Sequence, residues 1–590
     1  MSPERLQKLF LAAVPLHQAG DLDGAEAIYR QALEEFPNHP DAQHLLGVVA
    51  HQRGNNHEAL GLILHAIDQN PKASDYFGNL GGVWTSLGRY HRAADAYRNC
   101  LRLDPKNDGV YVQLGKALSR AHEPAEAATA CRAAIGLNPN NAEAYGDLGV
   151  CLATMGDLNP AMAAYRSALR LNPQLPAIHS NLIFAMEMHE AGDARAIFAE
   201  LKEWNRLHAM PLRPLIKPHP ERPTAGRKLR IGWVSPDFRH HVIARCMLPV
   251  FKEFDRSQFE NFCYYNYAQT DAMTYAVRLA VDHWRDIFTL NGEEAAELIR
   301  GDELDVLVDL SLHSGLNCLT VFARKPAPVQ VCYLGYCSST GVETMDFRIS
   351  HPHLDPSDAD LEFYSEKTVR LASSYFCYRP ENNTPAVSAL PAVAKGFITF
   401  ACLNNAAKAS EQTVDLWSRI LKAVPTSRLI VYAVSTNRRE WIQDRLRAAN
   451  VDLGRLEFVD REPWRKYIGT YDRVDIALDT LPYGAGISAC DAIYMGVPMV
   501  TLRGDRAVGR MCSSVLLNIG HPELIASTPD EYVKIAAELA SNLPKLEELR
   551  RGLRASLVSS PVMDSKAIAQ ELQGIFRKIC TIKNAIAPPL

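Results

Sequence analysis

The chain has 590 residues, of which 47% are apolar and 22% charged, and its formal net charge is −4. This length predicts several domains of ordinary globular composition. The charge gives no electrostatic reason to bind nucleic acid, and no apolar run reaches the ~18 residues that cross a bilayer. The 13 cysteines form no C-x-x-C pair, and several fall inside apolar runs, which favours a reducing, cytoplasmic location.

The first third of the chain repeats with the ~34-residue period of tetratricopeptide units. A proline, a small residue and a turn glycine recur in register, with His122 replacing one glycine: Pro37, Pro71, Pro105, Pro139 and Pro173; Ala25, Ala59, Ala93, Ala127 and Ala161; Gly20, Gly54, Gly88 and Gly156. This pattern predicts helix pairs that pack closely at the small residues and end at the proline. We therefore expect an all-α superhelix over residues 1–190, including a last helix near 177–188, that binds a protein partner.

The composition and periodicity of the sequence change near residue 210. Residues 210–228 are rich in proline and basic side chains, so we expect a linker and a transition helix over 191–227. Strand-like runs then alternate with helical ones at 229–235, 259–268, 304–311 and 329–336, and again at 397–403, 428–434, 455–459, 474–479 and 498–502. The alternation predicts two facing Rossmann-like α/β domains, 228–385 and 386–590, the second closed by a C-terminal helix.

A loop of small residues follows one of these strands in DTLPYGAGISACDAIYMGVPMVT (479–501). Ligands of parallel sheets bind beyond the carboxyl ends of the strands. A helix begins near Ile487, and its N-terminus together with the small residues would let backbone amides approach a phosphate. The loop is therefore a candidate diphosphate site, although the loop alone is equally consistent with a tight connection.

Four stretches resemble the tetratricopeptide-containing protein O-GlcNAc transferases, including the SPINDLY-type proteins. They are LRIGWVSPDFRHHV (229–242), RKPAPVQVCYLGYCSSTGVETMDF (324–347), YSEK (364–367) and the segment 479–504. The resemblance implies two facing nucleotide-type domains of the GT-B type. It also implies transfer of a sugar from a nucleotide diphosphate to Ser or Thr of a protein, with inversion and without a metal or other cofactor. UDP-GlcNAc is the expected donor.

The resemblance also suggests roles for individual residues at the donor. Lys408 matches the lysine that neutralises the departing diphosphate, and Asn405 matches an amide residue near the donor phosphate. Asp491 matches an aspartate that hydrogen-bonds the nucleotide ribose. The remaining donor-binding candidates are Gly486, Ile487, Ser488 and Tyr467.

Two histidines are catalytic candidates on the same grounds. His241 matches a cleft histidine once proposed as the base, and His283 aligns, less closely, with a second one. Histidine has a pKa suited to taking a proton from an acceptor hydroxyl near neutral pH. The neighbouring His240 could exchange roles with His241.

Departures from the family pattern leave three hypotheses open. The family loop carries consecutive threonines where this chain has Gly486-Ile487-Ser488-Ala489, and Trp464 and Tyr467 stand where animal enzymes place a lysine and a histidine against the nucleoside. The chain could use UDP-GlcNAc, could use GDP-fucose or another nucleotide sugar, for example on flagellin, or could be a non-catalytic repeat scaffold. Asp358–Asp360 is interpreted as solvated charge and not as a metal motif.

Overall fold

The computed structural model describes residues 3–189, 192–220, 222–223, 226–357, 361–381 and 383–586. The chain forms two compact units. The first contains the residues up to Met155 together with Ala163–Asn172, and the second contains Gly156–Met162 together with the chain from Pro173 onward.

Ten helices form the repeat region as five antiparallel pairs: α1 (Pro3–Gln18), α2 (Leu22–Glu35), α3 (Pro40–Gln52), α4 (Asn56–Gln69), α5 (Ser74–Ser86), α6 (Tyr90–Leu103), α7 (Asp108–Arg120), α8 (Pro124–Leu137), α9 (Ala142–Met155) and α10 (Leu158–Leu171). The periodic alanines of the second helices are fully buried. Two glycines of first helices pack against tyrosines of the second helices: a Cβ at Gly81 would lie 2.4 Å from the Tyr97 ring, and one at Gly149 would lie 2.4 Å from the Tyr165 ring. The predicted close packing of each pair is confirmed.

The turn between the two helices of a repeat needs a left-handed residue. Gly20, Gly54 and Gly88 have φ of 81°, 82° and 68°, and His122 adopts φ 65° at the equivalent position. Only glycine takes this conformation without steric cost. His122 is therefore a local departure from an otherwise regular array, and it stores backbone strain.

Two further helices, α11 (Pro176–Met188) and α12 (Ala194–Trp204), belong to the second unit. Ser180 lies 2.9 Å from Nδ1 of His313, and the hydroxyl of Ser338 donates to Glu187. The two compact units thus divide near Pro173. The expected extent of the repeats, 1–190, stays a prediction; α11 keeps the repeat's leucine at Leu182, and nearly all of its faces are buried.

The N-terminal lobe of the second unit holds a seven-stranded parallel sheet in the order β3-β2-β1-β4-β5-β6-β7. In chain order its elements are β1 (Leu229–Ser235), α13 (Val242–Lys252), β2 (Phe259–Tyr265), α14 (Ala272–Ala280), β3 (His283–Asp286), α15 (Gly292–Gly301), β4 (Val306–Asp309), α16 (Leu319–Phe322), β5 (Val329–Cys332), β6 (Phe347–Ser350) and β7 (Lys367–Arg370). Its first six strands follow the dinucleotide-fold order, which confirms a Rossmann-like domain.

The C-terminal lobe holds a six-stranded parallel sheet in the order β10-β9-β8-β11-β12-β13. Its elements are α17 (Pro391–Lys395), β8 (Thr399–Cys402), α18 (Glu411–Ala423), β9 (Arg428–Tyr432), α19 (Thr436–Ala448), β10 (Leu456–Val459), α20 (Trp464–Gly469), β11 (Ile476–Leu478), α21 (Ile487–Tyr494), β12 (Met499–Leu502), α22 (Met511–Asn518), β13 (Ile525–Ala526), α23 (Pro529–Ser541), α24 (Leu543–Val558) and α25 (Ser565–Ile586). The last helix returns to the other lobe, where Phe576 packs edge-on against Trp233 at 5.7 Å.

Candidate active site

A cavity of about 810 Å³ lies between the two sheets. The loops that follow β1, β4 and β5 line it from the N-terminal lobe, and the segments that follow β8, β10 and β11 line it from the C-terminal lobe. All of these loops leave the carboxyl ends of parallel strands, which is where ligands of such folds bind. The lining is rich in cations: Arg239, Arg245, Lys408 and Arg461.

Lys408 ends a short 3₁₀ turn, Ala406–Lys408, directly after β8. Its Nζ lies 4.4 Å from the centroid of the Tyr483 ring, and it forms no ion pair within the described residues. Burial lowers the pKa of Lys408 to about 8, and the nearby Asp479 carboxylate opposes part of that shift. A partly desolvated ammonium that makes no direct ion pair among the described residues is suited to binding an anionic ligand.

The turn that carries Lys408 is held from both sides. Asn405 caps it by accepting a hydrogen bond from the Ala407 amide at 3.0 Å, which leaves the Asn405 NH₂ group for the cavity it lines. Behind the turn, the buried Arg438 donates from Nε to the Ala406 carbonyl at 3.1 Å and from Nη2 to the Ala409 carbonyl. These bonds fix the backbone on both sides of the lysine.

Asp479 shapes the loop of small residues that follows β11. The buried carboxylate accepts hydrogen bonds from the amides of Thr480 and Ala485, each at 2.8 Å, and from the Thr501 hydroxyl at 2.7 Å. Burial raises the pKa of Asp479, and these hydrogen bonds oppose the shift. These hydrogen bonds hold the loop against the end of β11 and so fix the position at which α21 begins.

Gly486 is the N-cap of α21, and Ile487 and Ser488 begin the helix at the cavity wall. The first amides of a helix have no partner within the helix, so those of Gly486, Ile487 and Ser488 can face a ligand. The Ala489 amide instead donates to the Gly486 carbonyl at 3.0 Å, so it does not extend this set. A Cβ on Gly486 would lie 3.1 Å from Cζ of Phe376, which makes this a closely packed wall.

Asp491 lies one turn further along α21 and is engaged by both lobes. Its Oδ1 accepts from Nη2 of Arg245 and from the Tyr378 hydroxyl, each at 2.9 Å, and its Oδ2 lies 3.4 Å from the Tyr467 hydroxyl. The Arg245 guanidinium lies over the Trp464 ring at 4.4 Å. Asp491, the residue predicted to bind the ribose, is therefore part of a buried group that includes an arginine from the opposite lobe.

His241 lines the cavity as the N-cap of α13. Its Nδ1 accepts from the Ile243 amide at 3.3 Å and lies 3.6 Å from Oδ2 of Asp237. Burial lowers the pKa of His241, so the ring is neutral at neutral pH. Acceptance at Nδ1 assigns the proton to Nε2, whereas a base acting through Nε2 requires the other tautomer, with Nδ1–H directed at Asp237.

The structure does not bring His283 to this cavity. His283 begins β3, at the edge of the N-terminal sheet, where its Nε2 lies 2.7 Å from Glu260 and its ring stacks on Phe262 at 4.1 Å. The start of a parallel strand lies at the end of the sheet opposite the ligand edge. His240 is likewise absent from the cavity lining; it is largely exposed, 3.4 Å from Glu381.

The structure therefore assembles Asn405, Lys408, Gly486, Ile487, Ser488, Asp491, Tyr467 and His241 around one cavity. Sequence reasoning missed Arg245, Arg438 and the loop-closing role of Asp479. Each acts through a partner distant in the chain, so only a lone arginine within the apolar run VIARCMLPV hinted at Arg245.

Asp358–Asp360, interpreted from sequence as solvated charge, lies outside the described residues. In the part of the chain that is described, no group of three or more His, Cys, Asp or Glu side chains is placed to share a metal ion. Among the described helices, none combines the length and the apolar character that a bilayer crossing requires.

Two Rossmann-like lobes that face each other across a cleft, preceded by tetratricopeptide helix pairs, define the GT-B architecture joined to a repeat array. Residues 174–389 and 383–572 match glycosyl transferase family 41, and residues 16–79, 52–108 and 112–176 match tetratricopeptide repeats. Because the match covers more than half of its length, the chain belongs to glycosyl transferase family 41.

Its relatives include both plant and bacterial proteins. It is 33% identical over 411 residues to the probable UDP-N-acetylglucosamine–peptide N-acetylglucosaminyltransferase SPINDLY of Hordeum vulgare, covering 68% of this chain and 43% of the relative. It is 29% identical over 365 residues to the protein SEC of Arabidopsis thaliana, covering 60% and 37%. An O-GlcNAc transferase variant of Thermobaculum terrenum superposes with a TM-score of 0.81 at 33% identity, covering 86% of this chain and 98% of that one. The chain spans less than half the length of these plant relatives.

Proposed function

We propose that the chain is a protein O-glycosyltransferase that moves a sugar, with UDP-GlcNAc as the first candidate donor, onto Ser or Thr of a protein acceptor. The observation that carries the proposal is the presence, at one cavity, of Lys408 and of the N-terminal amides of α21, which have no ion-pair or hydrogen-bond partner among the described residues. The names of the plant relatives and of the bacterial structure support the choice of donor.

The leaving group sets the main chemical demand on the site. The acceptor oxygen forms a bond to the anomeric carbon while the bond from that carbon to the diphosphate oxygen breaks, and the anomeric centre is inverted. Negative charge then grows on the diphosphate, and fixed cations and amide dipoles stabilise it without reorganising. Lys408 supplies the charge, and the amides of Gly486, Ile487 and Ser488 supply the dipoles. This set meets the demand without a metal, and activity that survives chelation with EDTA is the expected result.

The acceptor hydroxyl must also lose its proton. His241 lies at the cavity and is neutral at neutral pH, so it can accept a proton once its tautomer places the lone pair on Nε2. While Nδ1 accepts from the Ile243 amide, the same ring would instead donate a hydrogen bond from Nε2. His241→Gln keeps a hydrogen-bond donor and loses the basicity, so it separates these two roles. Transfer activity should be lost if His241 is the base, and it should be largely preserved if His241 is only a hydrogen-bond donor.

The repeats are proposed to select the protein acceptor. Stacked tetratricopeptide pairs present a concave surface that binds extended segments of other proteins. We also propose a reducing compartment such as the cytoplasm, because all 13 cysteines are free and buried.

The decisive experiment incubates the full chain with radiolabelled UDP-GlcNAc, GDP-fucose or a CMP-sugar and a lysate of the source cells, and then counts label in protein. Label transferred from UDP-GlcNAc, lost in Lys408→Ala and kept in the exposed control Lys422→Ala, is the expected result. Transfer from another nucleotide sugar would keep the reaction class and change the donor. Nucleotide binding without transfer from any donor would support the non-catalytic scaffold.

A further inference from the structure

Arg245 is the one charged side chain in the first turn of α13, and its role is not explained by the chemistry of the leaving group. The side chain is only 10% exposed, and it lines the cavity from the N-terminal lobe. Its Nη2 crosses to the C-terminal lobe and donates to Asp491 at 2.9 Å. The arginine therefore links the two lobes at the wall of the cavity.

Two hydrogen-bond donors at this place have no acceptor among the described residues. Nε of Arg245 and Nε1 of Trp464 are both buried and unpartnered, although both residues line the cavity. Buried donors without partners are costly, and native proteins keep few of them. Their presence side by side indicates a ligand that offers acceptor atoms to both.

The geometry also indicates a flat ligand. The guanidinium lies over the Trp464 ring at 4.4 Å, and the Tyr467 ring lies 5.6 Å from Trp464. Planar groups stack on such surfaces. Beside them, Oδ2 of Asp491 has one donor near it among the described residues, the Tyr467 hydroxyl at 3.4 Å, and it can accept a hydrogen bond from a ligand hydroxyl or N–H.

We propose that Arg245 is a specificity-determining residue for the nucleoside of the donor. It holds Asp491 through Nη2, and its Nε, together with the Trp464 indole N–H, hydrogen-bonds acceptor atoms on the edge of the nucleobase. This inference rests on the proposed function, since it assumes that a nucleoside diphosphate sugar occupies the cavity. It assigns base discrimination to a residue of the lobe opposite the one that holds the diphosphate.

The test compares three probes by isothermal titration calorimetry: UDP, GDP and inorganic pyrophosphate. Arg245→Lys keeps the charge near Asp491 but removes the planar Nε–H, and Trp464→Phe removes the indole N–H while keeping an aromatic ring. We expect Arg245→Lys to lose about tenfold or more in affinity for the preferred nucleotide, as for a hydrogen bond from a charged group, and little for pyrophosphate. The preference between UDP and GDP should narrow in parallel. Trp464→Phe should show the same pattern with a loss of about fivefold.

The exposed Arg278→Lys on α14 is the matched control and should bind all three probes like the unaltered chain. If nucleotide and pyrophosphate lose affinity equally in Arg245→Lys, or if neither changes, the nucleoside role of Arg245 is overturned while the proposed function stands. If the unaltered chain binds no nucleotide, the proposed function fails, and this inference fails with it. Thermal unfolding of each variant without ligand shows whether a loss of binding is a loss of folding.

Discussion

Replacing Lys408 by alanine tests the leaving-group chemistry at its most charged contact. An ammonium about 3 Å from a phosphate oxygen is attracted by roughly 5 kcal/mol at an effective dielectric constant of 20. The desolvation of the charged lysine, which lowers its pKa to about 8, offsets part of this attraction. A net loss of roughly 3 kcal/mol, or about two orders of magnitude in kcat, is expected when the contact is removed. Initial rates of donor-dependent transfer measure it.

The pH dependence sharpens the same prediction. Lys408 is charged below pH about 8, so kcat/KM for the donor should fall as the pH rises through about 8. Lys408→Arg keeps its charge at higher pH, so its alkaline limb should move upward even if its rate is lower. Turnover unchanged in Lys408→Ala, or an alkaline limb that stays in place in Lys408→Arg, would refute the assignment.

Stability gives an independent readout for the same residue. The pKa of Lys408 is lower in the folded protein than in the unfolded chain, so the charged form costs stability at every pH below about 8, and the cost disappears above the unfolded value. Lys408→Met should therefore unfold at a higher urea concentration than the unaltered chain at pH 7 while being almost inactive. A variant that is inactive because it is unfolded would show the opposite shift.

Three further predictions follow from neighbouring contacts. Ser488→Ala should weaken UDP binding by about 1 kcal/mol at most, whereas Gly486→Val should abolish it, because a branched side chain would meet Phe376 and block the amides; calorimetry giving the reverse order would place the diphosphate elsewhere. Arg438→Gln should lower kcat more than it raises the donor KM, with partial rescue in Arg438→Lys, because the turn that carries Lys408 loosens; a change in stability alone would make Arg438 purely structural. His122→Gly should stabilise the repeat region by about 1 kcal/mol in urea unfolding followed by circular dichroism, and no gain would show that φ 65° is unstrained there.

The repeat region was predictable because its constraints are local and recur. Each turn needs a left-handed residue and each crossing a small one, so the same residues return in every unit. The central strands were predictable for a related reason, since strands buried on both faces read as apolar runs. The strands that sequence reasoning missed, β3, β6, β7 and β13, have two to four residues. Three of them, β3, β7 and β13, are edge strands, and β6 lies next to an edge. β3 and β7 are also polar, so no apolar run marks them.

The residues of the candidate site likewise fall into those that the sequence predicts and those that it does not. Lys408, Asp491 and the loop at Gly486 follow strands whose ends the sequence indicates, so their shared location could be predicted. The proposed role of Arg245 depends on its hydrogen bond to Asp491, which is 246 residues away, and no periodicity predicts such a pair. His283 is the converse case, because its alignment suggested the cleft while the topology places it at the opposite end of an edge strand.

The most direct test of the diphosphate site is a crystal structure of the full chain with bound UDP. We expect the β-phosphate within hydrogen-bond reach of Lys408 Nζ and of the amides of Gly486, Ile487 and Ser488, with the nucleoside beside Asp491, Arg245 and Trp464. A diphosphate bound elsewhere, or one in this cavity that contacts neither Lys408 nor the start of α21, would contradict it.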